Sequence, residues 1–169
     1  MNIRWLIYFD ASALVKRYSP EPGATLVNEI FQLLPKSQMR CAALGTLEVI
    51  SILVRKKNGG RISHPQFEQA LTEFNDEVVG LAGMPIAPAD DPILLSAGDL
   101  ILKHNINASD AAILKSALHL NNELALSGNR LMLWTSDLRL ARAAAAESLT
   151  VFNPETETSA NLTTLLTTN

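Results

Sequence analysis

The stretch Ile3-Arg4-Trp5-Leu6-Ile7-Tyr8-Phe9-Asp10-Ala11-Ser12 decides how the rest of the chain is read. Apart from Arg4, residues 3–9 are apolar and rich in β-formers, the pattern of a buried strand. The run is closed by a carboxylate and followed by small residues that start a short helix over 11–17. An aspartate at this point stands at the carboxyl end of a strand, where open α/β sheets place their ligand crevice. The purely apolar part, 5–9, is far shorter than the roughly 20 residues a membrane span requires, and no small-residue cleavage site follows it. A soluble, cytoplasmic protein with no membrane partner is expected.

Outward from this stretch, short β-rich runs alternate with longer helical patterns. Helices are predicted over 24–34, 44–57, 65–78, 90–103, 109–121 and 138–147, and strands over 39–43, 83–87, 131–135 and 150–152. Such alternation is the signature of an α/β fold, a three-layer α/β/α sandwich whose central sheet is mainly parallel. The turn residues 19–23 and the Asn58-Gly59-Gly60 helix end punctuate the pattern. With 169 residues, 47% hydrophobic, the chain is long enough for one core. No linker or repeat divides it, so residues 1–153 are read as one domain and the Thr-rich 154–169 as a C-terminal tail. In that tail Leu162, Leu165 and Leu166 form a patch suited to docking on the body or on a partner.

Cys41 is the only cysteine, which excludes an intramolecular disulfide and a thiolate metal cluster. It reads as a small buried strand residue. The net charge of −3 provides no broad basic footprint for gripping nucleic acid. Any such binding must be local or use metal ions.

Four acids occupy meaningful places. Asp10 and Asp137 each follow a predicted strand, and each is also explained as a helix N-cap. Asp110 shares a helix face with Ile113, Leu114 and Ala117, so its carboxylate lies on the buried side. Glu48 interrupts a helix that is apolar nearly all round, in a narrow stripe with Ser51 and Arg55. Carboxylates buried together repel and take up protons unless a cation holds them. No matching set of lysines or histidines is nearby. Oxygen-only ligands select hard ions, Mg²⁺ or Mn²⁺, and such ions support phosphodiester hydrolysis.

These residues also carry a family likeness. Tyr8-Phe9-Asp10-Ala11-Ser12-Ala13-Leu14-Val15-Lys16, Ala43-Leu44-Gly45-Thr46-Leu47-Glu48-Val49, Asn107-Ala108-Ser109-Asp110-Ala111-Ala112-Ile113-Leu114 and Leu133-Trp134-Thr135-Ser136-Asp137-Leu138-Arg139-Leu140-Ala141 stand in order along the chain. They resemble the four motifs of the PIN-domain ribonucleases, and among them the VapC-type toxins of toxin–antitoxin pairs. The third motif departs from the family by having Ile113-Leu114 where a histidine often stands. The stretch 121–130 is longer and more polar than usual. The resemblance implies a metal-dependent endoribonuclease with Asp10, Glu48, Asp110 and Asp137 as the catalytic metal site. It further implies an RNA substrate, a cognate antitoxin protein and a homodimer. Ser12, Thr135 and Ser136 are then candidates to orient the carboxylates through their hydroxyls, with ordinary helix capping as the competing explanation.

Lys16, Arg17 and Arg55 are candidates to touch RNA phosphates. The cluster 55–61 that contains Arg55 is equally a solvated helix C-terminus, and Lys16 and Arg17 equally a surface pair. His64, His104 and His119 are isolated and receive no catalytic role. Two other functions compete: a PIN-fold binding module that cuts nothing, and an aspartyl-phosphate phosphotransferase or receiver domain built on Asp10. The phosphotransferase lacks the second acid expected two residues after Asp10, where Ser12 stands, and the receiver domain lacks an acidic pair after the first strand and a lysine after the last.

Overall fold

Strand β1, Trp5–Phe9, alternates its side chains between two cores, and every residue in it is buried. Trp5, Ile7 and Phe9 point into one core and Leu6 and Tyr8 into the other. A strand buried on both faces belongs at the centre of a sheet. The computed structural model, which describes residues 4–167, has it there. The first expected strand residue, Ile3, and residues 168–169 of the expected tail lie outside the described residues.

The other strands are β2 (Met39–Ala42), β3 (Ile86–Ala87), β4 (Arg130–Trp134) and β5 (Thr150–Phe152). Their order is β3-β2-β1-β4-β5 and every pairing is parallel. The chain builds outward on one side of β1 and then crosses to the other. The order reverses between β1 and β4, and at such a switch point the helices leaving adjacent strands diverge and open a crevice above the strand ends.

Helices α1 (Ala11–Leu14), α2 (Ala24–Leu33), α3 (Ala43–Asn58) and α4 (His64–Phe74) cover one face. On the other lie α6 (Gly98–His104), α7 (Ala108–Ala125) and α8 (Leu138–Ala146), with α5 (Asp91–Leu95) packed on α7. The result is the three-layer α/β/α sandwich. Helix α9, Ser159–Thr167, returns to the first face, where Leu162 is fully buried and Leu165 and Leu166 pack beside it. Trp5 Nε1 donates to the Leu165 carbonyl at 2.7 Å.

Several boundaries differ from the sequence expectation for local reasons. The expected helix 90–103 is two helices, because the Ser96 hydroxyl takes the Ile93 carbonyl at 2.8 Å and closes the first. The helix expected over 65–78 widens after Phe74 into a π-turn, Asn75–Val79. The expected strand 83–87 keeps only its last two residues, since Gly83 and Met84 bond back to Gly80 and Glu77 in a tight turn. A Cβ on Gly83 would stand 2.3 Å from the Val78 carbonyl oxygen, so that turn requires glycine. The polar stretch after Asn121 begins as further turns of α7, and Asn121 Oδ1 then accepts from the first inner amide of β4, Leu131 N–H, at 3.0 Å.

Candidate active site

Asp10 leaves β1 with its amide still in the sheet ladder, donating to the Trp134 carbonyl at 2.9 Å. Its carboxylate is therefore held at the seam between β1 and β4, the switch point. Asp10 Oδ2 accepts from the Ser12 amide (3.2 Å), the Ser12 hydroxyl (2.6 Å) and the Thr135 hydroxyl (3.0 Å). Three donors occupy one oxygen and leave Oδ1 as the oxygen available to the pocket. Thr135 is fully buried and its Oγ1 also accepts from Asp137 N–H at 3.0 Å, while Ser136 N–H donates to Ser12 Oγ at 2.9 Å. The hydroxyls of Ser12 and Thr135 thus lock the ends of β1 and β4 together. The Ser136 hydroxyl is buried with no hydrogen-bond partner.

The other acids come from three further segments. Asp137 caps α8, accepting from Arg139 N–H and Leu140 N–H. Asp110 lies in the first turn of α7, behind the Asn107 cap. Glu48 lies on α3, half-buried. Asp10, Glu48, Asp110 and Asp137 line one pocket of about 210 Å³, together with Ala11, Ser12, Ser51, Ile52 and Arg55. Asp10 and Asp137 serve as helix caps and still face this pocket, so capping and site-lining are compatible. Three of the four acids stand at helix N-termini, where the backbone dipole favours negative charge.

The electrostatics are those of crowded carboxylates. Burial, then the charges of Asp137, Asp10 and Glu48, push the Asp110 carboxyl up to about 6, with Arg139 opposing. Glu48 is also raised, first by burial and then by Asp10, while Ser109 and Arg55 act the other way. Asp110 is only 8% exposed, and its Oδ2 is buried with no hydrogen-bond partner. An orphaned carboxylate oxygen among other carboxylates fits a hard divalent cation, since only a cation offers it a partner and relieves the repulsion. The acids do not close into a ready-made cage. Among the described residues no three His, Cys, Asp or Glu side chains form a ligand group.

The structure places two of the candidate RNA contacts in ion pairs outside the carboxylate pocket. Lys16 is 4% exposed and ion-paired with Glu155 (2.5 Å) and Glu21 (3.7 Å). Arg17 donates to both Glu77 oxygens and to Asn28, and lies over the Phe31 ring. Both border a separate pocket by α4, and acidic partners from distant segments consume their charge. Nor is the basic cluster a uniformly solvated helix end: Lys56 is buried against Ser19 and Glu21, and Lys57 lies over Phe67. Arg55 does line the carboxylate pocket. Ser51, read in the sequence as part of the Glu48 stripe, lines the pocket as well, and sequence reasoning missed only Ile52, whose spacing of four from Glu48 puts it on the same helix face. Cys41 is buried on β2 and its thiol is pushed up to about 12 by that burial. His104 pairs with Glu147, away from the pocket.

Comparisons with known proteins bear on the family and the fold. The family model described as "PIN domain" matches residues 7–146. No curated protein matches the chain. Among solved structures, it is similar to FitAB bound to an IR36 DNA fragment, at 16% identity and TM-score 0.64, over 90% of this chain and 98% of that one. It is also similar to FitAcB from Neisseria gonorrhoeae (19% identity, TM-score 0.59, 90% and 100% covered). A third is PAE2754 from Pyrobaculum aerophilum (16% identity, TM-score 0.53, 92% and 93% covered). At such identities the likeness to these structures is one of fold.

Proposed function

The chain belongs to the PIN-domain family, and from that membership we propose that it is a Mg²⁺- or Mn²⁺-dependent endoribonuclease, the VapC-type toxin of a toxin–antitoxin pair. PIN-domain proteins are generally nucleases and generally use divalent metal ions. The observation that carries the reading to this chain is the convergence of Asp10, Glu48, Asp110 and Asp137, from four separate segments, on one pocket at the sheet's switch point. The orphaned Asp110 Oδ2 adds that this pocket suits a cation.

In this reading Asp10, Asp110 and Asp137 hold the ion, with Glu48 beside them. A bound ion of this kind activates water, neutralises charge on the scissile phosphate and steadies the leaving oxygen. Asp10 keeps one oxygen anchored by Ser12 and Thr135 and presents the other. Burial raises the Glu48 carboxyl above the ordinary glutamate range, which suits it to accept and pass on a proton from the attacking water. Ser12 and Thr135 orient Asp10 and, through Thr135, the backbone of Asp137. The nuclease unit is residues 1–153, with the tail docked on it. Its partners are RNA, a cognate antitoxin protein and a second copy of the chain, and its site of action is the cytoplasm. Among the described residues no helix is long and apolar enough to cross a membrane.

The test compares the wild type with Asp10→Asn on a panel of structured RNAs in Mg²⁺, Mn²⁺ and EDTA. Cleavage by the wild type that requires the divalent ion and is lost in Asp10→Asn is the expected result. Equal cleavage by both proteins would sink the metal-site mechanism, and cleavage by neither would replace the nuclease with a binding module.

A further inference from the structure

A pocket lined by four carboxylates repels the polyanion it is proposed to cut, and an ion accounts for the charge only at the point of cleavage. The strand on either side of that point still needs a cation to hold it. Several of the chain's cations are engaged elsewhere. Lys16 and Lys56 are buried against Glu155 and Glu21, Arg17 is doubly bonded to Glu77, Lys103 is paired with Glu147, and Lys57 lies over Phe67.

Arg55 is different. Glu48, Ser51, Ile52 and Arg55 follow the spacing of one helix face, and all four line the carboxylate pocket. Among the described residues Arg55 is the one cationic residue in that lining. Its side chain is exposed and makes one hydrogen bond, from Nη1 to the Ser51 hydroxyl at 3.1 Å. Ser51 is a neutral partner, so it steers the guanidinium without cancelling its charge. The remaining N–H groups of the fork are the geometry that phosphate oxygens match. Seven residues of helix put the Arg55 backbone about 10 Å along the α3 axis from Glu48. A phosphate held there lies beside the acid cluster and not within it.

We propose that Arg55, steered by Ser51, grips the substrate phosphate next to the scissile one and so sets the position of the strand across the carboxylate pocket. This rests on the nuclease reading above, since it takes the pocket to be where a strand is cut. Arg55 acts on position, and the acids keep the chemistry. The contact is to backbone, so it strengthens binding to all sequences alike.

The test measures binding of a fluorescein-labelled, mixed-sequence single-stranded RNA by anisotropy across a KCl series, with Ca²⁺ replacing Mg²⁺ to slow cleavage. Wild type, Arg55→Gln, Arg55→Lys and Arg142→Gln are compared. Arg142→Gln removes the same charge from the exposed outer side of α8 and serves as the control. Arg55→Gln is expected to raise Kd roughly tenfold or more. It is also expected to flatten the slope of log K against log salt by about 0.7, the loss of one phosphate contact on a single strand. Arg55→Lys restores the slope but not the full affinity. In Mg²⁺, KM rises in Arg55→Gln while kcat changes little, and the melting temperature is unchanged. A wild-type slope in Arg55→Gln overturns the proposal, and so does an equal loss in Arg142→Gln, which reports only a diffuse field. Arg55-dependent binding without cleavage by the wild type leaves the contact standing and removes the nuclease reading. Cleavage that is indifferent to Arg55 does the reverse, and no binding by any of the proteins removes both.

Discussion

Thr135 Oγ1 donates a hydrogen bond to Asp10 Oδ2 at 3.0 Å, joining the end of β4 to the end of β1 across 125 residues of chain. The same hydroxyl oxygen accepts from Asp137 N–H at 3.0 Å. One buried side chain therefore positions two of the four acids.

Thr135→Val keeps the shape and removes both bonds. Groups that orient metal-binding carboxylates typically matter by about 10–100-fold in affinity or activity. Cleavage by Thr135→Val is expected to fall by that order, with a higher Mg²⁺ requirement, while Thr135→Ser retains most activity. The part-buried Asp137 amide left without its acceptor costs about 1 kcal/mol of stability, readable by urea denaturation. A Thr135→Val protein with the wild-type rate and Mg²⁺ dependence would remove Thr135 from any positioning role.

The Asp110 carboxyl, pushed up to about 6 by burial and by its acidic neighbours, has a definite sign in the stability of the fold. Its folded value lies above the ordinary aspartate value of about 3.9. Its favourable contribution is therefore fully present below that ordinary value and is lost as pH rises through about 6. At about pH 8 the ionised carboxylate opposes folding. In EDTA, Asp110→Asn is expected to be more stable than the wild type at about pH 8, by roughly 1–2 kcal/mol after allowing for screening at the open pocket. The advantage should vanish below about pH 4. Thermal melts across this range check it, and an Asp110→Asn protein less stable than the wild type at high pH contradicts it.

Divalent cations should reverse that burden. An ion that binds only the folded state stabilises it by about 2.7 kcal/mol at a hundred times its Kd. Mg²⁺ or Mn²⁺ is expected to raise the melting temperature of the wild type, and to raise that of Asp10→Asn and Asp110→Asn much less. NaCl at matched ionic strength serves as the reference. An equal rise in all three proteins would place the ion somewhere other than this pocket.

The C-terminal segment is tied to the body at several points. Leu162 is fully buried, Glu155 pairs with the buried Lys16, and the backbone of Pro154 passes within 2.8 Å of where a Cβ on Gly23 would stand. Gly23 also has φ of +88°, so a side chain there is strained as well as obstructed. Leu162→Ala is expected to cost about 2–4 kcal/mol. Gly23→Ala is expected to destabilise by about 1–3 kcal/mol. Urea midpoints measure both. A Leu162→Ala protein as stable as the wild type would mean that α9 contributes nothing to the core in solution.

Much of the fold was legible because each strand and each long helix carries its own period. The alternating burial of β1, the positions of α2, α3, α7 and α8 and the span of β5 all follow from spacing that any neighbour would reinforce. The elements read less well are those whose limits depend on a partner. The expected helix 90–103 breaks where one hydroxyl takes a carbonyl, and most of the expected strand 83–87 is drawn into a glycine turn. Lys16 and Arg17 looked like phosphate contacts because they follow Asp10. Their acidic partners Glu155 and Glu77 are remote in sequence, and nothing local announced them.

By itself the sequence determined that this is a parallel α/β protein and which acids stand at strand ends and on apolar helix faces, because such information lies in short-range periodicity. The tertiary structure decided which of those groups meet. The reversal of strand order between β1 and β4 opens the crevice, and Thr135 and Ser12 lock its two sides. The folded chain then pairs Lys16, Arg17 and Lys56 with acids and leaves Arg55 in the lining of the pocket. Charge is conserved along a sequence, but whether it is spent inside the fold or presented to a substrate depends on distances that only folding creates.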